Sequence, residues 1–290
     1  MQKVRKAVIP VAGYGTRFLP FTKAIPKAML PIVNVPAIQI IIEEAVKSGI
    51  EEILLIVGQH KDVIEAHFSP AKELEAVLAK RQSHEFLQKC TEPQKMAKIS
   101  YVIQEVQNGT GNAVLLAEQF ANGEPFAVLF GDDVMCSEKP VLKQLIEVFE
   151  RENKTVIGVQ RVGYENLAKY ASCEFDLHEG DLYNITALVE KPDPTLAKCD
   201  IAPLGRYVLR GDFFENLHNL KPGIHGEYQL TDALAMEINR AGLIAYEFEG
   251  RRFDTGDVFG FLQANVEFSL KNPEYKEKMQ EYLKNLVKKF

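Results

Sequence analysis

The chain has 290 residues, 46% of them hydrophobic, enough for one sizeable α/β core or two closely joined lobes. Its formal net charge is −6, from 34 basic against 40 acidic residues, with no basic tail or stripe. That balance argues against a nucleic-acid partner and requires any anionic substrate to be met by local cations.

No apolar run approaches the ~18 residues of a membrane span, and the basic start MQKVRK leads into a strand without a signal-peptide pattern. Cys90, Cys136, Cys173 and Cys199 have no paired spacing, so free thiols in a reducing cytoplasm are expected rather than a disulfide or zinc framework.

Residues 7–12 form an apolar run suited to a buried parallel strand. The run feeds a turn containing Gly13 and Gly15, and Arg17, Lys23 and Lys27 follow. Glycines let a backbone turn tightly and bring its N–H groups close to phosphate oxygens, while Pro20, Pro26 and Pro31 stiffen the loop that carries the cations. The dinucleotide fingerprint would need a third glycine where Phe18 stands. A P-loop would need Gly-Lys-Ser/Thr where Gly15, Thr16 and Arg17 stand. The segment therefore predicts a polyphosphate pocket of another kind, the alternative being a solvated basic turn.

Downstream, Ile38, Ile41, Ile42, Ala45 and Val46 recur at helical spacing, and Gly49 stands where a C-terminal cap belongs. Apolar runs at 53–57, 99–103, 126–130 and 155–159 alternate with helix-length segments, which predicts βαβ units and a parallel sheet. Residues 71–89 read as a charged surface helix or helical excursion. From 161 to 210 the texture becomes polar and turn-rich, predicting shorter strands in a second lobe that covers the carboxyl ends of the sheet, where ligands of such sheets bind. Residues 272–290 read as a charged helix with Tyr275, Met279, Tyr282, Leu283 and Leu286 as its apolar stripe.

Three constellations could carry chemistry. Gly131, Asp132 and Asp133 follow the buried run 126–130, so a carboxylate emerges at the sheet edge, either for a phosphate-bound metal or as a helix-capping turn. Asp254 and Asp257 come far later, and Asp254 can face Asp132 only if the fold joins two strand ends. Gln104 opens QEVQNGTGNAV, and its amide could read a nucleobase edge beside the Gly109 backbone, or simply be structural. Glu190 and Lys191 follow a short apolar run, a pairing able to hold sugar hydroxyls and a phosphate, or to sit in a solvated turn. His60 and His67 lack a third ligand at suitable spacing for zinc, and no G-x-S-x-G elbow occurs.

The run G-x-G-T-R-x-x-P then P-K-x-M-x-P resembles the sugar-1-phosphate nucleotidyltransferases. Matches continue through IQIIIEEAVKSGIEEILLIVG, FAVLFGDD, VEKP, APLGRYVL, GEYQLTDAL and RFDTGD. The resemblance implies a three-layer α/β/α, Rossmann-like fold with a mixed, mostly parallel sheet in a single domain. Residues 1–135 would bind nucleotide and 136–257 the sugar phosphate, with C-terminal helices at 258–290.

The reaction so implied is uridylyl transfer from UTP to α-D-glucose 1-phosphate, giving UDP-glucose and pyrophosphate. A thymidylyltransferase is the alternative within the family, and a catalytically silent sensor the alternative outside its chemistry. On the same resemblance Arg17 and Lys27 are catalytic, and Ala12, Gly13, Gly15, Thr16, Gln104 and Gly109 surround the nucleotide. Glu190, Lys191 and Gly205 hold the sugar phosphate, and Asp132 and Asp254 hold one Mg²⁺. A homo-oligomer, dimer or tetramer, is expected.

Three departures from the family pattern stand out. Ala28 replaces the usual Glu or Gln near the base, and Gln107 and Asn108 replace Pro-Leu before Gly109. Ala171 replaces a glycine whose amide touches the sugar, so that contact persists only if position 171 needs no positive φ.

Overall fold

The computed structural model describes residues 3–190, 192–193, 195, 197–223 and 226–289. Lys191, expected at the sugar phosphate, lies outside the described residues.

The first apolar run becomes β1 (Lys6–Pro10), and a small hairpin follows, β2 (Pro31–Ile32) with β3 (Val35–Pro36). Then come β4 (Glu52–Val57), β5 (Lys98–Ile103), β6 (Phe126–Leu129), β7 (Asp133–Cys136), β8 (Thr155–Arg161) and β9 (Ala171–Glu179). The last strands are β10 (Leu182–Glu190), β11 (Ile201–Leu209), β12 (Leu243–Glu247) and β13 (Arg251–Asp254). Nine of these form one mixed sheet in the order β5-β4-β1-β6-β11-β8-β12-β10-β9. Only β10 and β11 run against the other members.

Successive side chains of a strand point to opposite faces, and β1 shows the consequence. Ala7 and Ile9 join one core with the helices Ala37–Lys47 and Val141–Glu152, through Ile38, Ile41, Leu142 and Leu145. Val8 joins the other with Thr110–Leu115, Phe214–His218 and Leu230–Arg240, through Val114, Phe214, Leu217 and Leu234. The result is the expected three layers. Helices Val258–Lys271 and Lys276–Val287 pack on each other at the carboxyl end.

One expectation needs correction. The region 161–210 holds three nine-residue strands, β9, β10 and β11, instead of short ones in a covering lobe. All three belong to the central sheet, and β11 is buried along its whole length between β6 and β8. Its polar texture misled because Arg206 is fully buried, with its charge met by Glu44 from the helix Ala37–Lys47. The register also shifts between Pro203 and Tyr207, around Gly205 at φ 59. At 71–89 the expected surface helical excursion is made of two helices, Lys72–Lys80 and His84–Thr91, separated by Gln82 at φ 52 and containing no buried residue.

Candidate active site

The glycine loop starts where Val11 N–H donates to Ile56 O at 2.8 Å, just past the end of β1. Gly15 sits in the left-handed region at φ 64 and ψ 35. A Cβ there would stand 3.0 Å from Thr22 Cγ2 and 3.1 Å from Lys27 Cβ, and Thr22 Oγ1 donates back to Gly15 O at 2.8 Å. Gly15 is thus required by conformation and by space. Gly13 is different from the expectation: its φ is not positive and a Cβ would meet nothing within 4 Å. The tight turn belongs to Gly15 alone. Short 3₁₀ turns at Thr16–Phe18, Phe21–Lys23 and Lys27–Met29 then bring the cationic loop back to the sheet edge, where Lys27 Nζ donates to Asp132 Oδ2.

Antiparallel pairing of β13 with β7 sets Asp254 opposite Asp133, one residue from Asp132. Thr255 seals the corner, donating to Asp132 O from its N–H and its Oγ1, each at 2.8 Å. A Cβ on Gly256 would lie 2.7 Å from Asp132 Oδ2 and 3.0 Å from Asp254 Oδ1, so the two expected metal ligands flank one methyl-sized space. Gly256 N–H donates to Asp254 Oδ1 at 3.0 Å, and Arg17 Nη1 donates to Gly256 O at 3.3 Å.

The neighbouring carboxylates are engaged elsewhere. Asp257 caps Val258–Lys271, accepting from Phe259 N at 3.0 Å and Gly260 N at 3.1 Å. Asp133 turns inward onto Arg252, which also reaches Asp254 Oδ2 at 3.4 Å and Tyr170 OH at 2.9 Å. Burial pushes Asp133 up to about 6; Arg252 pulls against this, and the charges of Asp132 and Asp254 add to it. Burial acts on Asp132 in the same upward sense, but the Lys27 ammonium with its hydrogen bond, helped by Arg252, holds that carboxyl below the usual range. Among the described residues no group of three or more His, Cys, Asp or Glu could hold a metal. Two carboxylates at a phosphate pocket do suit Mg²⁺, which keeps waters and takes phosphate oxygens as its other ligands.

Beside the aspartates opens a cleft of about 400 Å³. Its walls bring together Ala12, Gly13, Lys27, Gln104, Gly109 and Asp132, with Ala28 and Gln107 among them. Gly15, Thr16, Arg17, Asp254, Glu190 and Gly205 stand outside these walls. Gln104 follows β5, is anchored by its N–H to Val57 O at 2.9 Å, and is 6% exposed. Gly109 adopts φ 118, and a Cβ there would come within 2.3 Å of Tyr228 O. The segment carrying GEYQL locks this loop, since Tyr228 N–H donates to Asn108 O and Gly111 N–H to Tyr228 O, both at 2.8 Å.

Glu190, expected at the sugar, ends β10, and its Oε2 accepts from Thr231 Oγ1 at 2.8 Å. Gly205 at φ 59 leaves no room for a side chain, because a Cβ would fall 2.0 Å from Asp133 Oδ2. Its carbonyl accepts from Phe130 N–H at 2.9 Å and Arg206 Nη1 at 3.0 Å. Ala171 pairs with Glu190 in the sheet and takes no positive φ, so alanine at this position carries no conformational cost. Arg252, Thr231 and Tyr228 went unassigned in the sequence although they lie inside recognised motifs. Arg206 and Glu44 give no local signal, being ordinary members of a strand and a helix.

The profile of the nucleotidyl transferase family matches residues 6–270. A UTP–glucose-1-phosphate uridylyltransferase of Staphylococcus epidermidis is 44% identical over 286 residues, covering 99% of each chain. UTP–glucose-1-phosphate uridylyltransferase 2 of Staphylococcus saprophyticus is 45% identical over 287 residues, again covering 99% of each. Among solved structures, a UTP-bound UGPase from Acinetobacter baumannii superposes with a TM-score of 0.89 at 32% identity, covering 97% of this chain and 98% of that one. A UDP-glucose pyrophosphorylase complexed with UDP-glucose gives 0.84 at 36% identity, covering 93% and 100%. With the family profile spanning residues 6–270 and relatives 44–45% identical over 99% of its length, the chain belongs to the nucleotidyl transferase family.

Proposed function

We propose that the chain transfers the uridylyl group of UTP to α-D-glucose 1-phosphate, releasing pyrophosphate and UDP-glucose. The observation that carries this reading is the cleft that gathers Ala12, Gly13, Lys27, Gln104 and Asp132 at one sheet edge. The shared activity of relatives matched over 99% of the chain supports it.

The chemistry asks little of a base. A sugar phosphate has its second pKa near ~6, so the attacking oxygen is already anionic at neutral pH. Catalysis then consists of holding two anions in line and offsetting charge as pyrophosphate leaves. Lys27 reaches the cleft from a stiff proline-bounded turn and serves the triphosphate. Arg17, tied to Gly256, is set to join it as charge develops. Glu190, with one oxygen held by Thr231, accepts hydrogen bonds from sugar hydroxyls, Lys191 is assigned the sugar phosphate, and the Gly205 backbone is assigned the sugar. Ala12, Gly13, Gly15 and Thr16 shape the phosphate loop, and Gln104 with Gly109 reads the uracil edge. Asp132 and Asp254 would hold Mg²⁺, which supplies charge neutralisation to the phosphates when bound.

In this reading residues 1–135 serve the nucleotide, 136–257 the sugar phosphate, and 258–290 assembly, in a single cytoplasmic domain. Leu19, Phe259, Leu262 and Tyr282 are exposed apolar side chains of the kind a homo-oligomer would cover. Pyrophosphate release from UTP, dTTP, CTP and GTP, each with several sugar 1-phosphates, tests the assignment. UTP with glucose 1-phosphate should be the best pair. No release from that pair would sink the proposal, and a preference for dTTP would move it to the thymidylyl branch.

A further inference from the structure

We propose that Lys27 makes divalent-metal binding at Asp132 conditional on the triphosphate, because its ammonium occupies the carboxylate that the metal needs and leaves it only for phosphate oxygens. The inference rests on the reading of Asp132 and Asp254 as the metal ligands.

Charge and placement carry the argument. Asp132, Asp133 and Asp254 crowd the meeting point of β7 and β13, and two cations face them. Arg252 is the immobile one: its side chain is 13% exposed, stacks over the Tyr170 ring at 5.0 Å and is bound to both Asp133 and Asp254. Lys27 is the movable one. It stands on a three-residue turn, its ammonium pairs among the described residues with Asp132 alone, and it shares the wall of the 400 Å³ cleft with that carboxylate.

While Lys27 holds Asp132, three carboxylates are offset by two cations and one net negative charge remains for a doubly charged ion. Once Lys27 is drawn to a triphosphate, two remain, and Asp132 Oδ2 is released toward the space it shares with Asp254 over Gly256. A flexible ammonium suits this exchange, since it is a point charge that moves between carboxylate and phosphate without a fixed hydrogen-bond fork.

The test uses Mn²⁺ as the probe, its free concentration read by electron paramagnetic resonance in the full-length protein, with and without a non-hydrolysable UTP analogue. Without nucleotide, Lys27→Gln and Lys27→Met should each bind Mn²⁺ at least about tenfold more tightly than wild type. The gain should vanish in the double variant Lys27→Gln with Asp132→Asn, and in wild type the UTP analogue should raise Mn²⁺ affinity far more than in either neutral variant. Equal nucleotide-free affinity in wild type and both neutral variants, with Asp132→Asn still losing the ion, would overturn the gating and leave the metal assignment standing. Absence of Mn²⁺ binding even with the analogue would overturn both.

Discussion

Glu44, on the helix Ala37–Lys47, grips Arg206 in the middle of β11 through both carboxylate oxygens, with Nη2 at 2.7 Å from Oε2 and Nε at 3.1 Å from Oε1. The guanidinium spends its remaining donors on backbone, Nη2 on Asp133 O at 2.7 Å and Nη1 on Gly205 O at 3.0 Å. A fully buried charge therefore ties a surface-layer helix to the backbone of Asp133 and Gly205, beside the aspartate pair.

Removing one partner leaves the other charge unmet in the core. Glu44→Ala should destabilise the fold by about 3–5 kcal/mol in urea unfolding, and turnover should fall as the Asp133 and Gly205 carbonyls lose their fixed donor. A loss under about 1 kcal/mol would mean that Arg206 finds solvent or another acceptor.

The paired aspartates make a second test. Asp132→Asn and Asp254→Asn should each lower turnover by ~10²-fold or more and shift the Mg²⁺ dependence to higher concentration, because each removes one charge from the proposed Mg²⁺ site. Wild-type activity at unchanged Mg²⁺ in either variant would remove that residue from the site.

Two glycines on the cleft wall should respond very differently to the same methyl group. Gly13→Ala meets no steric obstacle and no positive φ, so stability should stay within about 0.5 kcal/mol while KM for UTP rises, the methyl standing on the cleft wall. Gly109→Ala drives a methyl into the Tyr228 carbonyl at φ 118 and should cost at least ~1–3 kcal/mol, forcing the GEYQL segment away from its loop. Thermal unfolding and kcat/KM for UTP check both, and equal effects from the two substitutions would contradict the geometry.

Base selection follows from what one methyl group is worth. UTP and CTP differ at a hydrogen-bonding edge, and a buried Gln104 left unpaired should reject CTP by ~10⁴-fold in kcat/KM. UTP and dTTP share that edge, and Ala28 leaves room beside the base, so dTTP should be used detectably. Comparable use of CTP would remove Gln104 as the reader.

His67 supplies a pH dependence of known sign. Its Nε2 lies 2.8 Å from Gln39 Oε1, and burial holds its pKa below the ordinary 6.5. The unfolded chain then binds the proton more readily, so stability should fall as pH drops below ~6.5 and level off once the folded value is passed. Asp133, pushed up to about 6, contributes with the opposite sign in that range, which is why wild type must be compared with His67→Gln. A difference between the two that does not shrink as pH falls would refute the assignment to His67.

Local chemistry was legible without coordinates. Strand and helix periods, the cationic loop and the aspartate following β6 depend on neighbours within a few residues, and side-chain period and turn chemistry act over that range, whereas Gln104 after β5 and Glu190 stood out only through the family resemblance. What tertiary structure alone decided is partnership. Thr255 reaches Asp132 across 123 positions and Arg17 reaches Gly256 across 239, because β13 pairs with β7 in one register. That register also turns Asp133 to Arg252 while Asp132 faces the cleft, and the insertion of β11 between β6 and β8 converts an apparent polar lobe into sheet core. Spacing along the chain carries no record of such pairings. They are selected by the burial and charge balance of the whole fold, as in the Arg206 and Glu44 pair, which neither segment announces by itself.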